Sequence, residues 1–405
     1  MTKTTQNMMA EVRKLAPDIV SRAAEIEALR HIPSDLMEAL RAIGIFRMFV
    51  PRSHGGLELD LPSAVEIIRA LARIDGSVGW NAMIGSAGGI FAPLLPREIY
   101  DRVYAKGPDT ILAGSAQPAG TAEKEGDHWR VDGRWPFVSG CDHAEWMLAL
   151  CKMTDGGQPV LDDREAPMIR GFILPAHDWE IEDTWYAAGL KGTGSHHIKV
   201  RNALVPAAHF FDLERGLPCV PGPLYQTVLQ FLPLFHAAFA TGVAEGALDD
   251  LIELAGSGHQ QQRTARPMRD SEAFQFELGR VSAELRAAIA FFQVQVGSHR
   301  RHALAGTLKD DALLIQGTQT GIWVASTCLR VVDACFSLAG GAAVYDSSPL
   351  QRRLRDLHVA AQHAAVHQRG YAGAGKALLI EPRTQVERQH ANGTSPRDGH
   401  SLVLT

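Results

Sequence analysis

The stretch Trp129–Trp146, WRVDGRWPFVSGCDHAEW, decides how this chain is read. Trp129 and Val131 alternate with polar neighbours, Asp132-Gly133 is a tight-turn dipeptide, and Trp135 and Phe137 begin a return strand. The pattern predicts a β-hairpin turning at Asp132-Gly133. After it, Ser139-Gly140-Cys141-Asp142-His143 crowds several hydrogen-bonding groups together where a bare strand end would need few. That run points to a ligand.

Working outward, the residues up to about Asp109 carry helical periodicity. Ser34 is placed to cap DLMEALRAIG, with Leu36, Leu40 and Ile43 on one face and Gly44 at its end. Ser63–Ile74 repeats the pattern, with Val65, Ile68, Leu71 and Ala72 inward. From Thr110 to about Phe211 short β runs take over: TILAGSA, HWRVDG, WMLALCKM, RGFILP and HIKVRNALVP, punctuated by Gly, Pro and Asp. Helical spacing then returns at Val243, Ala247, Leu251 and Leu254, and continues through Glu272–Ala305, Lys309–Leu338 and a final helix Pro349–Lys376. Helices, then strands, then helices predict an α+β chain of separate layers, not an alternating parallel sheet. The expected division is an N-terminal helical domain over 1–109, an antiparallel β-barrel or sandwich over 110–215, a C-terminal four-helix bundle over 216–380 and a polar tail over 381–405.

The bulk properties narrow the function. At 405 residues, 46% hydrophobic and 21% charged, the composition is that of a soluble globular protein long enough for substantial cores. A formal net charge of -5 argues against nucleic acid as a partner. The five cysteines show no paired short spacing, and Cys328 and Cys335 fall in an apolar helical run, as buried thiols do. The N-terminal MTKTTQNMMAEVRKLAPD has no apolar signal core, and no run reads as a membrane span, so a cytoplasmic location is expected. There is no GxGxxG after a strand and no GxxxxGK[ST].

Four segments together resemble the acyl-CoA dehydrogenase family: GSVGWNAMIGS (76–86), AGSAQPAGTAEKEGDHWRVDGRWPFVSGCDHAEW (113–146), WYAAGLKGTGSHHIKVRNALVP (185–206) and LQRRLRDLHVAAQHAAVH (350–367). Within it the chain most resembles the flavin-dependent monooxygenases of two-component systems. The resemblance implies reduced flavin (FADH2 or FMNH2), a separate NAD(P)H-flavin reductase, oxygen activation through a peroxyflavin, a phenolic or indolic substrate, and a homotetramer.

It also implies roles for particular residues. Phe137-Val138-Ser139 stands where the dehydrogenases carry Trp-Ile-Thr, which makes Ser139 the group hydrogen-bonded to flavin N5. Ser115 lies in the loop expected to touch flavin or substrate, and Trp185 in a Gly-rich turn beside the ring system. Arg263 and Arg266 are candidates for the flavin phosphate, and Gly340 and Gly341 for close approach to the flavin tail.

The dehydrogenases' glutamate base has no counterpart, because no Asp or Glu occurs from residue 357 to residue 380. His363 stands in that segment, followed by His367, and the resemblance makes His363 the catalytic histidine, accepting a phenolic or indolic proton. The i, i+4 spacing of this pair also occurs in helical zinc sites, but no third ligand is evident and no metal is expected. Many of the monooxygenases carry a histidine soon after the Gly-Trp of the first motif. Here Trp80 is followed by NAMIGSAGGIFAP, so Asn81, Met83 and small residues are expected to form the pocket wall, with His143 a further candidate. The alternatives are an FAD-dependent dehydrogenase or oxidase with a base from elsewhere, and a non-catalytic flavin-binding relative.

Overall fold

In a computed structural model, which describes residues 2–261 and 266–380, the chain begins with six helices. They are α1 (Lys3–Ser21), α2 (Ala23–Leu29), α3 (Ser34–Ile43), α4 (Leu61–Ile74), α5 (Gly76–Phe91) and α6 (Arg97–Val103). Gly44 ends α3 in the left-handed region (φ 92°), as read, but Ser34 is the first helical residue and makes no cap; Pro33 precedes it. The acids do the capping instead. Asp60 accepts the backbone N–H of Ser63 at the start of α4, and Asp75 that of Val78 at the start of α5. Helix α5 is buried on nearly every side, as expected of an uncharged helix with apolar residues all round. Gly79 lets its backbone lie on α4, where a Cβ would come within 2.5 Å of the Ala72 Cα.

Eight strands follow: β1 (Leu112–Glu125), β2 (His128–Val138), β3 (Trp146–Asp155), β4 (Gln158–Pro159), β5 (Ile169–Pro175), β6 (Glu180–Glu182), β7 (His196–Pro206) and β8 (Phe210–Phe211). They form one sheet in the order β6-β7-β2-β1-β3-β5-β8, with β4 on β3. Two expectations are corrected. The hairpin turns at Gly126-Asp127, not at Asp132-Gly133; Glu125 pairs with His128, and Gly126 takes the positive φ of 63°. Asp132-Gly133 instead lies inside β2, at an irregularity in its pairing with β7, where a bulge absorbs the extra residue. Nor is the sheet wholly antiparallel, because β1 and β3 run parallel, with a register shift between Ser115 and Gly120. Trp135 anchors the sheet's own core: fully buried, it donates to the Leu150 carbonyl at 2.7 Å and packs on Phe172 and Trp179.

The chain closes with α7 (Leu232–Gly256), α8 (Glu272–Ala305), α9 (Asp311–Ala339), α10 (Pro349–Ala360) and α11 (Tyr371–Ile380). The expected single helix from Pro349 to Lys376 is broken. Helix α10 stops at Ala360, and His363 and His367 precede two short 3-10 turns in extended backbone (ψ 138° and 136°). Each imidazole Nδ1 accepts a backbone N–H two residues on, which competes with helix continuation. Helices on both sides of the sheet share one hydrophobic cluster, from Met8 to Val366, while the sheet keeps a second one. By length and composition Asp311–Ala343 could cross a membrane (mean hydropathy 1.5), which the sequence reading had excluded. Half of that window is buried in the protein, where α9 packs on α7 and α8 as a core helix does. The tail over 381–405 lies outside the described residues.

Candidate active site

A cavity of about 660 Å³ opens between α5, β1, β3 and α7, a volume usual for small-molecule sites. Its wall is mainly apolar: Met83 and Phe91 from α5, Leu112 and Leu148 from the strands, Leu232 and Phe235 from α7. Its carboxylates and arginines lie toward one end: Asp162, Arg164, Asp212, Glu214 and Arg215 come from two loops, and Arg170 from the start of β5. Arg170 and Asp212 pair at 3.0 Å, and Arg215 reaches Asp163. The remaining titratable side chains on the wall are His236 and His363.

These two rings stack, with centroids 4.1 Å apart and planes 28° from parallel. His236, on α7, is buried, and its Nδ1 lies 2.7 Å from the Leu232 carbonyl, so Nδ1 carries the hydrogen. Its Nε2 is buried with no partner among the described residues. Burial, with His363 alongside, holds its pKa well below the usual imidazole value. His363 keeps much of its surface open, yet enclosure of the ring pushes its pKa down to about 4. Both rings are therefore neutral at pH 7. Trp80 meets both edge-on, at 5.3 Å from His236 and 5.9 Å from His363.

The same indole links the pair to Ser139. Trp80 Nε1 donates to Ser139 Oγ at 2.9 Å; Ser139 Oγ lies 2.7 Å from Ser195 Oγ, and Ser195 Oγ lies 2.6 Å from Thr193 Oγ1. Thr193 Oγ1 donates to the Leu190 carbonyl at 2.8 Å. The two ends set the direction of the whole chain, since an indole N–H can only donate and a carbonyl can only accept. Thr193 therefore accepts from Ser195, and Ser195 from Ser139. Ser139 is left with one free lone pair and no hydrogen to offer. Reduced flavin carries a hydrogen on N5, so this hydroxyl fits the reduced group as an acceptor. Beside it Phe137, 60% exposed with a left-handed backbone (φ 63°), meets Trp185 edge-on at 6.4 Å, an aromatic surface suited to a planar ring. Trp185 is pinned through Nε1 on the Leu190 carbonyl (2.9 Å) and through its backbone N–H on His196 Nδ1 (3.2 Å). Buried Asp356 holds the same loop by accepting the Leu190 N–H at 2.6 Å; burial and the nearby Asp75 push its pKa up to about 7.

The other sequence candidates fall elsewhere. Asn81 donates to the Ser77 carbonyl (3.1 Å) and the Gly192 carbonyl (3.4 Å), so it ties α5 to the 190s loop and is not part of the cavity wall. Met83 does line the cavity. His143 packs edge-on against His31, in the connection between α2 and α3, at 5.9 Å, away from the wall, because the turn at Cys141–His143 directs it there. Ser115 is buried at the β1 irregularity, and its neighbours Gly114 and Ala116 line the cavity in its place. His367 is exposed and takes no part in the stack. Gly340 and Gly341 open a 3-10 turn after α9; Gly340 has φ 59°, and a Cβ on Gly341 would meet nothing within 4 Å. Arg266 is among the described residues, whereas Arg263 lies outside them. No cluster of three or more metal-ligating side chains occurs among the described residues.

The comparisons decide the family. The acyl-CoA dehydrogenase N-terminal domain model matches residues 2–96, and the acyl-CoA dehydrogenase C-terminal domain model matches residues 234–368. An indole-3-acetate monooxygenase of Pseudomonas putida is 31% identical over 88% of this chain and 89% of its own length. The chain belongs to the acyl-CoA dehydrogenase superfamily, in its flavin-dependent monooxygenase branch. The oxygenase component of an FADH(2)-dependent resorcinol hydroxylase from Rhizobium sp. is 28% identical over 95% of this chain and 97% of its own. The crystal structure of 3-HSA hydroxylase from Rhodococcus sp. RHA1 superposes with a TM-score of 0.84 at 26% identity, covering 93% of this chain and 97% of that one.

No histidine follows the Gly-Trp motif within α5, and His236, on another helix, stands against the same Trp80. Sequence reasoning missed it. The signal was present: Leu232–Ala244 is free of charged residues, and His236 interrupts its apolar run. Ser195 and Thr193 were missed because nothing local marks them; they matter through a chain of contacts that spans the sheet and α5.

Proposed function

We propose that this protein is the oxygenase component of a two-component flavin-dependent monooxygenase, which takes reduced flavin from a separate NAD(P)H-flavin reductase and hydroxylates an aromatic substrate with O2. The observation that carries this reading is the cavity's chemistry: two stacked neutral histidines in an apolar wall, with carboxylates confined to the loops. Abstracting the α-proton of a thioester calls for a carboxylate base, and the segment after α10 offers none. Bound flavin supplies the oxygen chemistry; the protein supplies orientation, dryness and control of protons.

Ser139 would hold the flavin through its free lone pair, with Phe137 and Trp185 beside the ring and Arg266 and the Gly340–Gly341 turn toward its tail. Substrate would lie in the cavity against His236 and His363, where Trp80 fixes the spacing of the two sites. Exposed apolar side chains on α8 and α9 support assembly with further copies as a homotetramer: Phe276 (69% exposed), Val294 (68%) and Trp323 (39%). Free cysteines at all five positions suit the reducing cytoplasm. The test is to assay the purified protein with a panel of phenols and indoles, NADH and flavin, with and without a flavin reductase. Hydroxylated product only in the presence of reductase is expected; product without reductase, or none from any aromatic, would overturn the reading.

A further inference from the structure

The two stacked histidines have opposite hydrogen-bonding characters. His236 Nδ1 faces the Leu232 carbonyl, which can only accept, so the hydrogen of the neutral ring sits on Nδ1 and Nε2 is a bare acceptor. His363 Nδ1 accepts the Ala365 backbone N–H at 3.2 Å, so in the neutral ring the hydrogen sits on Nε2. Of the two rings on the cavity wall, one thus carries a bare acceptor and the other a donor. The acceptor is also the unsatisfied one: His236 is 4% exposed, lines the cavity, and its Nε2 has no partner among the described residues. A buried acceptor left unmatched is costly, and a ligand that fills it recovers that cost.

We propose that His236, not His363, accepts the hydrogen bond of the substrate's aromatic O–H or N–H, and that His363 supplies the donor of the pair. The assignment rests on the reading of this cavity as the substrate pocket of an aromatic hydroxylase. It reverses the role the resemblance implied for His363, whose accepting nitrogen is already occupied. It also replaces the histidine missing after Trp80, with α7 in place of α5 as its source. The substrate class follows: an aromatic with a hydrogen-bond donor on or in the ring, such as a phenol or an indole, favoured over an otherwise equal ring whose donor is methylated. Drawing that hydrogen toward Nε2 raises the electron density of the ring, which an electrophilic oxygen transfer requires.

The test uses the full-length protein and two probes, 2-naphthol and its methyl ether 2-methoxynaphthalene, with dissociation constants measured by fluorescence. Wild type should prefer naphthol by about tenfold or more, the worth of one well-placed hydrogen bond. His236→Leu should bring the ratio close to one with the ether's affinity little changed. His236→Gln, which keeps an acceptor, should retain part of the preference, and His363→Gln should retain most of it. A preference that survives His236→Leu, or one lost only in His363→Gln, would overturn the assignment. If neither naphthalene binds, the cavity is not an aromatic pocket and the functional reading falls with the inference. Nitrogen-15 NMR of the histidines gives a readout free of any ligand: His236 protonated on Nδ1 and His363 on Nε2 are expected, and the opposite pattern would contradict the proposal.

Discussion

Two polar regions meet at Trp80 and differ in one respect. The chain from Trp80 through Ser139, Ser195 and Thr193 to the Leu190 carbonyl is satisfied link by link, and its direction is set by its ends. The histidine stack across the same indole leaves His236 Nε2 buried and unmatched. A closed network fixes positions, and an open one waits for a partner. Ser139 therefore reads as part of a rigid frame that presents a single lone pair, and His236 as the group whose bonding is completed by substrate.

The contrast can be broken at either side. The largest effect should come from the open side: His236→Leu is expected to lower kcat/KM for hydroxylation by about a hundredfold or more, the usual span for a lost proton-handling group. His363→Ala should cost less. Comparable losses from both, in steady-state product formation, would erase the distinction between acceptor and donor.

On the closed side, Ser139→Ala should leave substrate affinity nearly intact while releasing more hydrogen peroxide per NADH consumed. It also strands the Trp80 indole N–H, a loss of about 1–3 kcal/mol visible in denaturant unfolding. Unchanged coupling would remove Ser139 from the flavin contact. Ser195→Ala breaks the links to Ser139 and Thr193 but leaves Ser139 in place for Trp80, whose indole N–H keeps its acceptor, so a smaller loss, about 1 kcal/mol, is expected. A loss equal to that of Ser139→Ala would mean that the stranded Trp80 indole N–H does not dominate the cost.

A separate, pH-dependent effect concerns the loop that carries Trp185. The folded-state pKa of Asp356 is raised to about 7, above the usual 3.8. The native state therefore favours the protonated form; this stability is present at acid pH and is lost as pH rises from about 4 through 7. The thermal stability of Asp356→Asn relative to wild type should grow across that window. A constant difference between the two melting temperatures from pH 4 to 7 would show that Asp356 is not shifted as described.

Much of this was legible in the sequence. Helical and alternating periodicities located the layers, and β5 and β7 begin and end within a residue of the runs read as strands. The Asp-Gly signal misled because Asp132-Gly133 has the chemistry of a turn, but its neighbours already pair on both sides, so a bulge took the strain instead. His363 was legible and its setting was not, since nothing in AAQHAAVH announces that the imidazoles would end the helix by accepting backbone N–H groups. Asn81 looked like pocket wall because it follows Trp80; one step along a helix turns a side chain by about 100°, which carried it to the Gly192 carbonyl. Contacts such as Ser139–Ser195 and Trp80–His236 join residues far apart in the chain, and no local pattern encodes them.

The central claim, oxygen transfer from O2 to an aromatic ring, is tested most directly with labelled oxygen. Purified protein, a flavin reductase, NADH, flavin and a phenol or indole that binds the cavity would be incubated under 18O2, and the product analysed by mass spectrometry. The account predicts one labelled oxygen atom in the hydroxylated product. Product oxygen drawn from water, or full recovery of the NADH electrons as hydrogen peroxide with no hydroxylated product, would contradict it.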